Sequence, residues 1–366
     1  MTGVVGEVEK RPTGAVLPQP RGPLSAYVIE ALLKPAHSLD TPPAVPSPWT
    51  GDDLQLALYL CYELHYQGFS GVDERWEWEP TLLAFRRELE ERFEFGLRDL
   101  VGGSHLVAGR EPAVDMAGRE PAVDMADWLW NMISISSGPS LSSFVAEHAS
   151  MTQLREFLVH RSAYQLKEAD PHTWAIPRLA GEAKAALVHI QSDEYGNGVE
   201  SEMHSSLFAD TLDSVGLDTR YGNYLDWLPA PTLTTVNLVS FFGLHRRWRG
   251  ALVGHLAVFE MTSVTPMGRY AAALARLGVA ASGRRFYEVH VEADAEHQFV
   301  AADRLAAGLA RAEPDLVDDI AFGACAVMAV EAHFTRHLLD RWEAGATSLR
   351  HRLPDGDHVS GAIARS

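Results

Sequence analysis

In the segment YEVHVEADAEHQF, His290, Asp294 and His297 fall at i, i+4 and i+7. On a helix of 3.6 residues per turn these three side chains share one face. Two imidazoles and a carboxylate on one stripe suit a borderline metal such as iron, manganese or zinc. As a core face the stripe is costly, because inward-facing ionisable groups must be paired or bound to a cation. Taken alone, the segment could also be a solvated acidic face, with Glu292 and Glu296 beside the three.

Donors of the same kind recur along the chain at helix-scale separations. Glu168 closes YQLKEAD, Glu194 lies in QSDEYGNG, His204 in SEMHSSLF, and Glu260 ends the apolar run ALVGHLAVFE. Glu260 is the most telling, since a carboxylate at the end of a run apolar enough to be buried needs a cation or a hydrogen-bond donor. Glu168 and Glu194 are individually weak signals, as Glu is common on helix surfaces, and His204 alone is an ordinary histidine. Together they fit a pattern in which inward-facing carboxylates and histidines from several helices build a dinuclear site inside a bundle.

The elements that would carry these residues read as helix after helix. Apolar spacing of three and four predicts helices over 141–147, 151–168, 172–179, 180–193, 203–215, 232–244, 251–260, 265–278, 283–308 and 313–344. Earlier helices are expected over 24–34, from Asp52, and over 79–97, with Asp52 as an N-cap. Alternating strand pairs, a βαβ rhythm, GxGxxG and GxxxxGK[ST] are all missing from the sequence. The fold class is therefore all-α. Residues 1–50 hold nine of the twenty prolines and read as an extended tail, 51–140 as added helices, and 141–350 as the main bundle. The nonapeptide AGREPAVDM at 108–116 recurs identically at 117–125, as expected of a duplication in a tolerant loop.

The chain has 366 residues and a net charge of −18, from 31 basic and 49 acidic side chains. That acidity argues against nucleic acid or an anionic membrane as partner, since both reward Lys and Arg. Two cysteines, Cys61 and Cys325, leave no room for a disulfide scaffold or a cysteine-rich metal site. Without a spanning apolar run or a signal-like leader, a cytoplasmic protein is expected.

On the His290/Asp294/His297 helix and the order of the preceding donors, the sequence resembles the heme-oxygenase-like diiron oxidases, the iron-containing redox enzymes, over about residues 140–345. The stretch YQLKEADPHTWAIPRLAGEAKAALVHIQSDEYGNG is similar to the actinobacterial natural-product branch. The resemblance implies a heme-oxygenase-like helical bundle holding two Fe(II) ions through Glu168, Glu194, His204, Glu260, His290, Asp294 and His297. His172 competes with Glu168 for the first ligand position. Heme is not expected, because it needs one axial histidine and an apolar slot. Dioxygen would be the cosubstrate, and an external reductase or ferredoxin the electron donor.

Relatives of this kind act on amino acids and fatty acids. A small amino acid oxidised by C–H abstraction, with desaturation or cyclisation, is the favoured reading; N-oxygenation of an amine or guanidine and oxidative decarboxylation of a fatty acid are the alternatives. An amino-acid carboxylate would want an arginine clamp, for which Arg161, Arg178, Arg284 and Arg285 flank the ligand helices. Other readings are a non-catalytic helical scaffold, a mononuclear or manganese enzyme using His290, Asp294, His297 and Glu260, and a thiaminase-like enzyme relying on Cys325. Trp76 and Trp78 could form an aromatic interface or pack on the bundle. A homodimer is expected, as the commonest symmetric assembly.

Overall fold

The computed structural model describes residues 15–45, 49–103 and 124–354. The nine-residue repeat lies outside the described residues, save for its last two. Of these, Asp124 caps the helix that Met125 opens, its carboxylate accepting from the amides of Ala126 and Asp127.

Helices α1 (Pro23–Leu32), α2 (Asp52–Glu63), α3 (Pro80–Gly102) and α4 (Met125–Ile135) precede the segment that carries the donors. The helix expected at 24–34 is present, and it is packed rather than part of a free tail. Leu24, Val28 and Leu32 are buried, and Asp53 of α2 accepts from the amides of Leu24 and Ser25, at 2.9 and 2.8 Å, capping α1 from a neighbouring helix. Pro23 suits that first turn, where no amide donor is needed. Every residue of α2 from Leu54 to Glu63 is buried, so this helix belongs to the core of the molecule. Trp76 is fully buried and donates to the Lys34 carbonyl at 2.8 Å, whereas Trp78 is exposed.

The main bundle follows: α5 (Leu141–Glu147), α6 (Met151–Gln165), α7 (Asp170–Thr173), α8 (Gly181–Glu194), α9 (His204–Ser214), α10 (Ala230–Leu244), α11 (Arg249–Arg276), α12 (Arg285–Phe299), α13 (Ala307–Ala312) and α14 (Val317–Glu343). A capping box between Ser150 and Gln153 fixes the start of α6. The architecture is all-α: no strand occurs among the described residues, and a single bridge joins Ala15 to Phe69. No helix there is long and apolar enough to cross a membrane.

Helix α11 is the centre of the bundle, packing most extensively on α14 and α12. The α11–α14 crossing is tight because both helices place glycine at the contact. A Cβ at Gly254 would come within 2.0 Å of the Ile320 carbonyl oxygen, and one at Gly323 within 2.0 Å of that of Ala251.

Four expectations about helix extent need correction. The two helices expected at 251–260 and 265–278 are one, running through Pro266, whose missing amide costs one hydrogen bond that tertiary packing offsets. The helix expected at 151–168 stops at Gln165, leaving Glu168 on a turn. The one expected at 172–179 is the short α7 followed by a 3-10 turn, Ile176–Arg178, because Pro177 interrupts it. Beyond Phe299 the chain widens into a π-helical stretch, Val300–Ala306, before α13. Such stretches are rare and often sit next to functional sites.

Candidate metal centre

Helix α12 turns His290, Asp294 and His297 inward, and all three are at most 4% exposed. The 3.6-residue periodicity read from the sequence therefore describes a buried stripe and not a solvated face. Across from it, α11 brings Glu260, α8 ends on Glu194, and α9 begins on His204; these too are buried. Gly196 (φ +59°) makes the return between the last two possible. A Cβ there would lie 2.5 Å from the carbonyl carbon of Glu202, so the chain folds back on itself within ten residues and presents Glu194 and His204 together.

Glu168 is positioned by its neighbours on both sides. Lys167 is buried and pairs with buried Glu63 of α2 at 2.9 Å, and Tyr221 donates to the same carboxylate at 2.6 Å. Ala169 adopts φ +74°, a strained conformation for a residue with a Cβ, and its carbonyl accepts from Gln191 Nε2 at 3.0 Å. The turn that presents Glu168 is thus held by tertiary contacts that local sequence does not reveal.

The seven side chains form two groups, in each of which donor atoms lie within 4.8 Å of one another: Glu168, Glu194, His204 and His290; and Glu194, Glu260, Asp294 and His297. Glu194 belongs to both. Glu168 Oε1 is 3.7 Å from His290 Nε2, and His297 Nδ1 is 3.5 Å from Glu260 and 3.6 Å from Asp294. His204 Nδ1 and Glu194 Oε2 approach to 2.8 Å, yet neither makes a well-directed hydrogen bond. Glu168 Oε2, Asp294 Oδ1 and His297 Nδ1 are likewise buried without a hydrogen-bond partner. Buried polar atoms are ordinarily satisfied, so a cluster of orphans facing common points fits a cation at each.

The outward ring nitrogens are already engaged. His290 Nδ1 lies 2.7 Å from the Phe286 carbonyl, and His297 Nε2 lies 2.9 Å from Asp193 Oδ2. These contacts fix which nitrogen of each ring faces the cluster, Nε2 of His290 and Nδ1 of His297, as metal-binding histidines require. Ser263 donates to Asp294 Oδ2 and orients that carboxylate.

Charge is unbalanced in this buried pocket. Burial, reinforced by Asp294 and Glu194 against the nearby His297 imidazole, pushes the Glu260 carboxyl up to about 8. Burial also raises Glu168. Burial opposes the charged form of Glu194 as well, but His204 and His290 outweigh it and draw the group down to about 2. Despite burial, Glu168 holds His290 up to about 10, and Asp294 and Glu260 hold His297 up to about 11. In the absence of metal, protons supply the positive charge that the carboxylates demand.

The centre opens onto a cavity of about 310 Å³ whose walls include Phe157, Tyr164, Leu256, Phe259, Met267 and Tyr270. His172, the competing candidate for the first position, is not in either group; its Nε2 lies 3.1 Å from His255 Nδ1, and burial holds it down to about 4. Of the four flanking arginines only Arg161 lines the cavity. Arg178 donates to the Gly243 carbonyl, Arg284 to Glu288 and Arg285 to Glu202. Cys325 is buried beside Met132 and does not line the cavity. Sequence reasoning missed His189 and Asp193, which form a third group with His297. Their signal was present, an i, i+4 pair on α8 ending one residue before Glu194.

Residues 155–332 match the family model described as iron-containing redox enzyme. This stretch, just under half of the chain, is what is similar to that family. A nitrosourea synthase from Streptomyces achromogenes subsp. streptozoticus is 27% identical over 161 residues, 44% of this chain and 34% of that protein. The chain therefore spans about a third of the length of this curated relative. Among solved structures, a CADD-like protein of unknown function from Nostoc punctiforme aligns with a TM-score of 0.43 and 16% identity, over 68% of this chain and 98% of its own. The two donor groups and all seven donors lie within the stretch that matches the iron-containing redox enzyme model.

Proposed function

We propose that this protein is a non-heme diiron, dioxygen-dependent oxidase that acts on a small aliphatic substrate, an amino acid, by C–H abstraction in natural-product biosynthesis. The observation that carries the reading is Glu194, a single buried carboxylate common to two groups of acid and imidazole donors. A carboxylate has two oxygens with four lone-pair directions, so it can serve two cations at once. The first iron would be held by Glu168, Glu194, His204 and His290, the second by Glu194, Glu260, Asp294 and His297. A set of carboxylates and imidazoles suits non-heme iron, the donor types of the histidine–carboxylate sites that iron oxygenases use.

When bound, the two Fe(II) ions would supply the electrons for dioxygen reduction, and an external reductase or ferredoxin would restore them. The chain contributes position and environment. Asp193 and the Phe286 carbonyl hold His297 and His290 in the tautomers that face the centre, and Ser263 fixes the rotation of Asp294. Phe157, Leu256, Val258, Phe259 and Met267 line the cavity and limit water at the reacting end. Tyr164, buried near Glu168, Glu194 and Glu260, keeps its proton, as burial raises it well above the usual phenol range. Its hydroxyl lies 3.5 Å from His172 Nδ1. The match to a nitrosourea synthase favours a second reading, oxygenation at an amine or guanidine nitrogen.

The test is anaerobic Fe(II) loading with metal analysis, followed by exposure to air with a panel of free amino acids and fatty acids and mass spectrometry of the products. Two irons per chain and a mass change in an amino acid are expected. Less than about one iron per chain would favour the helical scaffold, given that a bundle of this kind normally assembles its site from donors on several helices.

A further inference from the structure

At the cavity wall, Arg161 of α6 meets Glu331 of α14 in a two-pronged ion pair, Nη1 to Oε1 at 3.0 Å and Nη2 to Oε2 at 2.8 Å. Both side chains line the cavity and remain partly accessible, 19% and 24% exposed. The guanidinium also lies over the ring of Phe334, 4.5 Å from its centroid. Apart from the centre's own donors and His172, these two are the ionisable acid and base of the cavity wall among the described residues. An ion pair in such a place does not stabilise a fold better than apolar residues of the same size, so its presence asks for another role.

We propose that the Arg161–Glu331 pair is the receptor for the head group of an α-amino acid, whose carboxylate joins Arg161 while its ammonium joins Glu331. The pair has the capacity to do this without breaking. A guanidinium has five N–H donors and spends two on Glu331, and a carboxylate has about four acceptor positions and spends two on Arg161. A fatty acid placed at Arg161 would bring its carboxylate against Glu331, and a simple amine at Glu331 would face Arg161. Each is opposed by like charge, which is how a site rejects the wrong ligand. Only a ligand that carries both charged groups on one carbon meets attraction at both.

The position of the pair also says which end of the substrate is oxidised. Arg161 lies four residues before the end of α6 at Gln165, about 6 Å back along the helix at 1.5 Å per residue, and Glu168 sits on the turn beyond that end. The head-group receptor and the donors line the same cavity, with Arg161 set back from Glu168 by more than a helical turn along the chain. The atom oxidised belongs to the distal part of the side chain, and the α-carbon is left untouched. This inference rests on the oxidase reading for its chemistry, but the binding step does not require metal.

The test is calorimetric binding of the free L-amino acids to the metal-free full chain and to the Fe(II)-loaded chain under anaerobic conditions. The tightest amino acid is then compared with its decarboxylated amine and its deaminated acid. Loss of either charge is expected to weaken binding about ten- to hundredfold, the range for a hydrogen-bonded charged group. Because R161M alone leaves Glu331 unpaired and can weaken the fold, the decisive variant is R161M/E331M, which removes both charges together. It is expected to keep the wild-type iron content and to lose the preference for the amino acid over its two truncated analogues. The proposal is overturned if no free L-amino acid binds more tightly than its truncated analogues, or if the double variant keeps the preference. Absence of iron binding with the preference intact would instead sink the oxidase reading and leave the receptor standing.

Discussion

Replacing Glu194 by Ala tests the shared-carboxylate arrangement directly, because the three acids Glu168, Glu194 and Glu260 differ in how many donor groups they serve. Glu168 belongs to the first group only, Glu260 to the second only, and Glu194 to both. E194A should therefore lose both irons, whereas E168A and E260A should each retain a metal in the group left intact. The magnitude follows from mass action. A metal at one hundred times its dissociation constant stabilises the folded state by about 2.7 kcal/mol. An unfolding entropy of about 2.1 cal/mol/K per residue over 366 residues gives roughly 0.8 kcal/mol per degree, so each bound iron raises Tm by about 3–4 °C and two by about 7 °C. Scanning calorimetry under anaerobic Fe(II), with iron measured on the same samples, should show the full shift for wild type, about half for E168A and E260A, and none for E194A. An E194A protein that keeps one iron and half the shift would refute the reasoning, since it would mean that Glu194 serves one group alone.

Asp193→Asn keeps the size of the residue but removes the charge that orients His297 Nε2, 2.9 Å away; iron affinity should fall about 10–100-fold, by titration, while the apo-protein unfolds at the wild-type temperature. Gly254→Ala would place a Cβ against the Ile320 backbone where α11 crosses α14, and an expected cost of about 3 kcal/mol should lower Tm by about 4 °C; an unchanged Tm would mean the crossing can open without penalty. Buried His160, held between Thr232 and Ser348, has its pKa pushed well below the ordinary 6.5 by burial, then by His337 and Arg161. Its neutral form is the folded form, so its contribution is intact above about pH 6.5 and falls by up to about 1.4 kcal/mol per pH unit below it. H160Q should flatten that acid limb in a Tm-against-pH series, and an equally steep limb would assign it to other groups.

The clustering of the donors was partly legible because its strongest piece is local. Spacing of four and three on α12 forces His290, Asp294 and His297 onto one face wherever the helix goes, and the apolar run leading to Glu260 marks a carboxylate that burial would catch. The helical class was legible for the same reason, since a 3.6-residue apolar period is a property of each segment by itself. Helix ends were less so. Pro266 reads as a break, yet α11 runs through it because packing on α12 and α14 outweighs one lost hydrogen bond. Glu168 reads as the end of a helix, yet it sits on a turn held by the buried Lys167–Glu63 pair, whose partners are 104 residues apart.

What the chain's residues settled unaided is which side chains could share a face and which of them would be costly to bury unpaired. Only the tertiary structure decided that Glu194 stands between two groups, that Asp193 backs His297, and that Arg161 rather than its three rivals reaches the cavity. Periodicity acts over a few residues and fixes directions within a helix. The meeting of α8, α9, α11, α12 and the turn after α6 at one point is set by long-range packing, at crossings such as Gly254 against Ile320, which no single segment encodes.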